Sequence, residues 1–298
     1  MVGSSLIRRL KNLGYHNIVA RTHKELDLTD QAATEQFFRK EKPEYVFLAA
    51  AKVGGIYANS TFPADFIMEN MQIECNVLKS AFANHVKKLL LPGSSCIYPK
   101  LCPQPIKEEY LLTGELEPTN EPFALAKLSG IKMCQAYNRQ YGTKFIPVMP
   151  ASLYGVQDRF DLNNSHVIPA MFIKIHLAKL EQRPAVDLWG TGKPLREFLY
   201  VDDLADALIE LMNNYEGNDF INIGSGSEIS IYDLAELIRK TVGYSGKIVF
   251  DPSKPDGTPR RVLDNTKILN TGWKPKVRME DGIQREYEYF LNHIAGSL

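Results

Sequence analysis

Gly93-Ser94-Ser95-Cys96-Ile97-Tyr98-Pro99 follows directly on the apolar run Leu89-Leu90-Leu91, and Asn120-Glu121-Pro122-Phe123-Ala124-Leu125-Ala126-Lys127 opens a helical pattern that continues through Ile131, Met133 and Tyr137. Three leucines in a row read as a strand buried on both faces, with the small polar residues after them as the loop at its carboxyl end. Pro122 suits the first helical turn, whose N–H groups have no partner inside the helix. Positions 123 and 127 lie one turn apart, so a ring and an ammonium share one face, turned toward the loop with Ser94 and Cys96. On spacing alone, the pair reads equally well as a core aromatic and a surface lysine, because an aromatic four residues before a lysine arises by chance on any helix.

Working outward, Ile18-Val19-Ala20 is expected as a short strand ending at Arg21, and Thr29 or Asp30 caps a helix with Ala32, Phe37 and Phe38 on its apolar side. Tyr45-Val46-Phe47-Leu48-Ala49-Ala50 reads as a strand buried on both faces, followed by the loop Lys52-Val53-Gly54-Gly55 and a long helix from Pro63 to Asn84. Phe145-Ile146-Pro147-Val148-Met149 is one more strand. Alternation of strand and helix predicts an α/β fold with a doubly wound parallel sheet. Such a Rossmann-like fold begins with a strand and a Gly-rich turn. This chain instead begins with a helix, Leu6, Ile7, Leu10 and Leu13 falling at helical spacing before Gly14. Gly3 reads as the last glycine of that turn, so the expectation is that the first strand, about a dozen residues, is missing.

Beyond residue 152 the strict alternation fades. Arg159–Ser165 reads as a polar loop, His166–Leu180 as a helix, Val186–Trp189 as a strand closed by Gly190-Thr191-Gly192, and Arg196 to Asp203 as a run turning into the helix Leu204–Asn213. Phe220–Ile223 and Ile248–Phe250 read as strands around an amphipathic helix Ile231–Val242, with a Pro/Gly/basic loop at Ser253–Arg261. Two domains are therefore expected: 1–152 for a dinucleotide and 153–298 as a smaller α/β substrate lobe, some of whose segments return to the first sheet. A ligand belongs in the cleft between them. Lys plus Arg and Asp plus Glu both number 35, so the formal charge is zero, which argues against nonspecific nucleic-acid binding. No apolar run approaches the ~20 residues that span a bilayer. Four cysteines (Cys75, Cys96, Cys102, Cys134) have neither CxxC nor zinc spacing, so no metal is expected. Free thiols and a cytoplasmic setting are the simplest account.

Six stretches carry a resemblance. They are Ala49-Ala50-Ala51-Lys52-Val53-Gly54-Gly55, the Gly93–Pro99 loop, Glu117-Pro118-Thr119-Asn120-Glu121-Pro122, Asn164-Ser165-His166-Val167-Ile168-Pro169, Arg196-Glu197-Phe198 and Lys254-Pro255-Asp256-Gly257-Thr258-Pro259-Arg260. In order and over essentially the whole chain, they resemble the GDP-L-fucose synthase family, the bifunctional epimerase/reductase branch of the extended short-chain dehydrogenases/reductases. The resemblance implies an NADP-dependent enzyme of nucleotide-sugar metabolism that epimerises C3 and C5 of GDP-4-keto-6-deoxy-mannose and then reduces C4, and a homodimer formed through the long helices near 63–84 and 123–141.

It also implies roles. Ser94 would hydrogen-bond the C4 oxygen, and Lys127 would bind the nicotinamide ribose. Cys96 and His166 would move protons at the carbons beside the ketone, His166 also touching the cofactor. Gly3, Ala49 and Ala50 would line the dinucleotide, and Arg21 would meet an NADP 2′-phosphate. Lys174, Arg196 and Arg261 would clamp the GDP diphosphate, with Trp189 beside them. Taken alone, each has a plainer reading: a strand-end serine, a buried small thiol, a helix-start histidine, solvated surface cations. Two positions depart from the family. Ser152 stands where the pattern has Asn. Phe123 stands where the family has the tyrosine whose phenol, with an ordinary pKa of about 10 lowered by a neighbouring ammonium, donates the proton in carbonyl reduction. Reduction is therefore expected to be impaired. Two alternatives stay open: a C4 reductase of a related GDP-4-keto-6-deoxy sugar such as a heptose, and a noncatalytic nucleotide-sugar-binding homologue.

Overall fold

The three leucines are buried on both faces of a sheet. Leu89 and Leu91 pack on one side and Leu90 on the other, with none of them exposed, as period-two alternation in a doubly covered strand requires. A computed structural model describes residues 1–161, 165–254 and 256–297. In chain order the first half forms α1 (Val2–Asn12), α2 (Gln31–Glu41), β1 (Tyr45–Phe47), α3 (Ile56–Thr61), α4 (Pro63–Ala83), β2 (Lys88–Pro92), α5 (Glu121–Tyr141) and β3 (Phe145–Pro150). The second half forms β4 (Ser152–Tyr154), α6 (Val167–Leu180), β5 (Ala185–Trp189), β6 (Leu195–Tyr200), α7 (Val201–Asn214), β7 (Ile221–Ile223), β8 (Glu228–Ser230), α8 (Ile231–Val242), β9 (Lys247–Asp251), β10 (Arg260–Arg261), α9 (Thr266–Leu269) and α10 (Met279–His293).

β1, β2, β3 and β7 form a parallel sheet in that order, with Phe47 opposite Leu90, Leu90 opposite Ile146 and Val148 opposite Ile221. Phe38 of α2, Val77 and Leu78 of α4 and Cys134 of α5 cover the face with Leu89, Leu91 and Phe145. Leu6 of α1 and Leu204 and Leu208 of α7 cover the face with Leu90, Ile146 and Val148. Ionic contacts fix α1 against α7: Arg8 to Asp202 at 2.7 Å and Arg9 to Asp206 at 2.6 Å. The fold is thus a doubly wound α/β sheet with a second, smaller lobe. There β4, β6 and β10 run parallel with β8 antiparallel to β6, and β5 pairs parallel with β9. Helices α6, α8 and α10 close that lobe around Phe172, Ile175, Leu234, Ile238 and Phe290.

Three expectations need correction. Ile18–Ala20 forms no strand; a strand needs a hydrogen-bonded neighbour, and none of the described strands lies beside this segment. Tyr45–Phe47 is not buried on both faces, because β1 is an edge strand among the described residues and leaves Tyr45 52% exposed. A short helix, α3, precedes the long one. By contrast, β7 crosses from the second half to complete the first sheet. Of the quoted motifs, Asn164 and Pro255 lie outside the described residues. No helix among the described residues is long and apolar enough to cross a membrane.

Candidate active site

Every strand of a parallel sheet ends on the same side, so the loops after β1, β2 and β3 gather at one edge. After β2 the chain turns at Ser94, whose Oγ accepts from the Cys96 backbone N–H at 3.5 Å and so starts the 3₁₀ turn Ser95–Ile97. That bond uses the oxygen as acceptor, and the hydroxyl proton can still be donated, here toward the Cys96 sulfur. Tyr98 anchors the turn from below, its buried hydroxyl donating to Asn222 Oδ1 at 2.6 Å. Asn222 sits on β7 and is itself held by Glu108, which accepts from its backbone N–H at 3.0 Å.

Helix α5 faces this loop. Phe123 is half-buried and meets Phe66 of α4 edge-on, centroids 6.1 Å apart. Lys127 is no surface lysine: it is 4% exposed and pairs with Glu74 of α4, itself 1% exposed, at 2.9 Å. Burial pushes the Cys96 thiol up, while Ser94, Arg261 and Lys127 pull it down. Charges from both halves of the chain, Lys127 on α5 and Arg261 on β10, thus bear on the one thiol.

Arg196 and Arg261 face each other across the β6–β10 pairing. Burial, then the charge of Arg261, lowers Arg196 to about 10, against the opposing pull of Asp256 and Glu117. Two guanidiniums forced together at a half-buried site are an arrangement that an anion relieves. Arg261 is steadied by Thr258 at 2.9 Å. Asp256 reaches to the loop after β5, accepting from the Thr191 backbone N–H at 2.7 Å. That loop presents Trp189, 57% exposed, with Lys174 Nζ 6.0 Å from its ring centroid and Lys254 Nζ 5.9 Å from it. Burial lowers Lys174, and Asp187 raises it.

Other expected residues lie at the rim. His166 is exposed at the N-cap of α6, and its charge acts on the buried carboxyl of Asp158. The loop after β1 abuts it: a Cβ at Gly55 would sit 2.8 Å from the Ser165 carbonyl oxygen. Nothing joins His166 to Cys96 by a direct contact among the described residues. Gly3 faces Ala49, where a Cβ would lie 3.5 Å from the Ala49 Cβ, and the N-terminus of α1 has no side-chain cap. Arg21 is exposed, paired with Glu41 at 3.0 Å. Ala50 follows Ala49 in the same loop. Sequence reading missed Glu74 and Asp158, and it quoted Lys254 and Asp256 within a motif without giving either a role. Only a mid-helix glycine, Gly130, hinted at the first.

Residues 1–224 match the model of the family described as "NAD dependent epimerase/dehydratase family". A protein of Oryza sativa subsp. japonica described as "Probable GDP-L-fucose synthase 1" is 56% identical over 298 residues, covering 100% of this chain and 91% of that one. The GDP-L-fucose synthase of Escherichia coli (strain K12) is 50% identical, with 98% of this chain and 94% of that protein covered. A solved structure described as "MlghC, GDP-mannoheptose C4 reductase from Campylobacter jejuni with NADP bound" superposes with a TM-score of 0.88 at 40% identity, covering 97% of this chain and 95% of that one. With the sheet, the β2 loop and α5 disposed as described, the chain belongs to the NAD dependent epimerase/dehydratase family, alongside the GDP-L-fucose synthases that it matches along its length.

Proposed function

We propose that the chain is an NADPH-dependent epimerase/reductase that converts GDP-4-keto-6-deoxy-mannose to GDP-L-fucose, with its reductive step slowed by Phe123. The observation that carries this reading is the packing of α5, with Lys127 buried on it, against the turn that holds Ser94 and Cys96. The paired arginines hold the diphosphate, Lys174 joins them, and Trp189 offers its face to the base. Ser94 turns its hydroxyl proton from the Cys96 sulfur to the C4 oxygen. A carbon beside that ketone is acidic, and Cys96 and His166 move its protons. The raised thiol of Cys96 is suited to giving a proton rather than taking one, which leaves His166 as the base.

The residues present fit a dinucleotide. Gly3 and the uncapped start of α1 give backbone N–H groups for a phosphate beside Ala49 and Ala50. Lys127 spends one of its three N–H donors on Glu74, the partner found for it among the described residues. Arg21 stands where a 2′-phosphate is expected. Bound NADPH supplies the hydride for C4. Phe123 keeps the ring but has no proton to give, which slows reduction by about 10²–10⁴; proton exchange at C3 and C5 needs no proton from it but loses one hydrogen bond to the enolate oxygen.

The test is incubation with GDP-4-keto-6-deoxy-mannose in deuterated water, with and without NADPH. Deuterium at C3 and C5 with slow NADPH oxidation is expected. No uptake at either carbon sinks the epimerase and leaves the noncatalytic homologue. Faster NADPH oxidation with a GDP-4-keto-6-deoxy-heptose favours the second reading, which the fit to the mannoheptose reductase supports. The active form is a homodimer joined through α4 and α5.

A further inference from the structure

We infer that Glu74 is a positioning residue for the cofactor: its carboxylate, seated against Gly130, fixes Lys127 so that the remaining N–H donors of the lysine face the nicotinamide ribose. This rests on the proposed NADPH site but names a residue and a device beyond it. Lys127 is a long, flexible side chain with a point charge at its end, and nothing intrinsic holds it in one rotamer. Glu74 Oε1 accepts from Lys127 Nζ at 2.9 Å, and the two residues are 1% and 4% exposed. They are 53 positions apart and sit on different helices, so the pair fixes α4 and α5 to each other as well.

The second observation comes from α5 itself. Gly130 lies in the middle of a 21-residue helix, where glycine costs about 1 kcal/mol relative to alanine. A Cβ at that position would stand 2.3 Å from Glu74 Oε2 and 2.7 Å from its Cδ. The helix gives up propensity so that a carboxylate can approach its backbone. Glu74 Oε2 is buried against the Gly130 backbone. Burial pushes the Glu74 carboxyl up, while Lys127 and then the Gly130 backbone N–H pull it back, so the close approach that glycine permits helps to keep a carboxylate opposite the lysine.

The experiment measures NADPH affinity by fluorescence and GDP affinity by calorimetry for the parent, Glu74→Gln, Gly130→Ala, Lys127→Met and the double variant E74Q/K127M. Glu74→Gln is isosteric. Gly130→Ala raises helix propensity while driving the carboxylate away, so a loss of NADPH affinity there has no origin in a weaker helix. Loss of one charge-assisted hydrogen bond predicts weakening of NADPH binding on the order of tenfold in each, with GDP affinity unchanged. In the K127M background the Glu74→Gln change should add nothing, because its effect passes through the lysine. NADPH affinity within about twofold of the parent in Glu74→Gln, or an equal loss in the K127M background, overturns the assignment. A parent that binds GDP but not NADPH removes the cofactor reading and this inference together.

Discussion

At position 123 the phenyl ring meets Phe66 edge-on one helical turn before a buried ammonium. In the proposed reduction the group this ring lacks is one hydroxyl. Phe123→Tyr adds that group to a half-buried ring, next to the charge that makes a phenol acidic. The turnover number for NADPH oxidation should rise by about 10²–10⁴, while deuterium exchange at C3 and C5 rises far less, gaining only a hydrogen bond to the enolate oxygen. Stopped-flow absorbance with the keto-sugar checks the first part and mass spectrometry the second. A tyrosine variant no faster than the parent would remove Phe123 as the reason for slow reduction. A second residue-scale expectation concerns the arginine pair. Arg261→Gln removes the neighbour that lowers Arg196 but also one arm of the proposed clamp. The clamp dominates, because a charge-assisted bond to a phosphate contributes about 1.5–3 kcal/mol. GDP should bind on the order of tenfold or more weakly by calorimetry, with NADPH affinity unaltered.

Among the elements, those legible in the sequence are the ones whose signals are local. Asp30 caps α2 by accepting from the Ala33 N–H at 3.0 Å, Pro122 sits in the first turn of α5, and Leu89–Leu91 alternate across β2 as read. The β2 loop and the α5 face could be placed by spacing. What spacing cannot supply is the partner across the fold: Glu74 for Lys127, Asp256 for the Trp189 loop, Asp158 for His166. Short strands suffered likewise. β4, β8 and β10 are two or three residues long and exist because β6 runs beside them, whereas Ile18–Ala20, with good strand composition, has no such neighbour. Helix α10 carries the least expected group. Glu286 is fully buried; the Asp158 carboxyl pushes it up, and the Gly155 backbone N–H pulls it down. Burial raises its pKa well above the ordinary 4.5. The folded chain therefore holds a proton there that the unfolded chain has lost. That contribution is fully present below about 4.5 and fades as pH rises through the folded value. Glu286→Gln should flatten this decline, and at pH 8 it should match or exceed the parent in urea unfolding. A variant that steepens the decline would show that Glu286 is ionised in the fold.

For the whole molecule, the open question of assembly falls on the outer face of α4 and α5. Met68, Cys75 and Phe82 recur every seven residues along α4, which places them on one side of that helix. Phe82 packs on Tyr141 of α5, centroids 4.5 Å apart, and on Tyr137 at 5.4 Å. Cys75 Sγ touches Met133 Sδ at 3.7 Å. Yet Met68, Cys75, Phe82 and Tyr141 all remain exposed, Tyr141 by 51%. An apolar and aromatic seam along two 21-residue helices is of the length that a stable interface of about 1,600 Å² uses, and a twofold axis lets the same seam cover itself. Glu74 and Lys127 lie on the inner sides of these same two helices, so pairing of the outer faces would also brace the site. Light scattering should therefore give twice the 33.7 kDa chain mass. Phe82→Glu with Tyr141→Glu should reduce it to a single chain, because four carboxylates would be brought together in an apolar seam. A parent of single-chain mass at micromolar concentration would refute the dimer. A dimeric double variant would place the interface on another face.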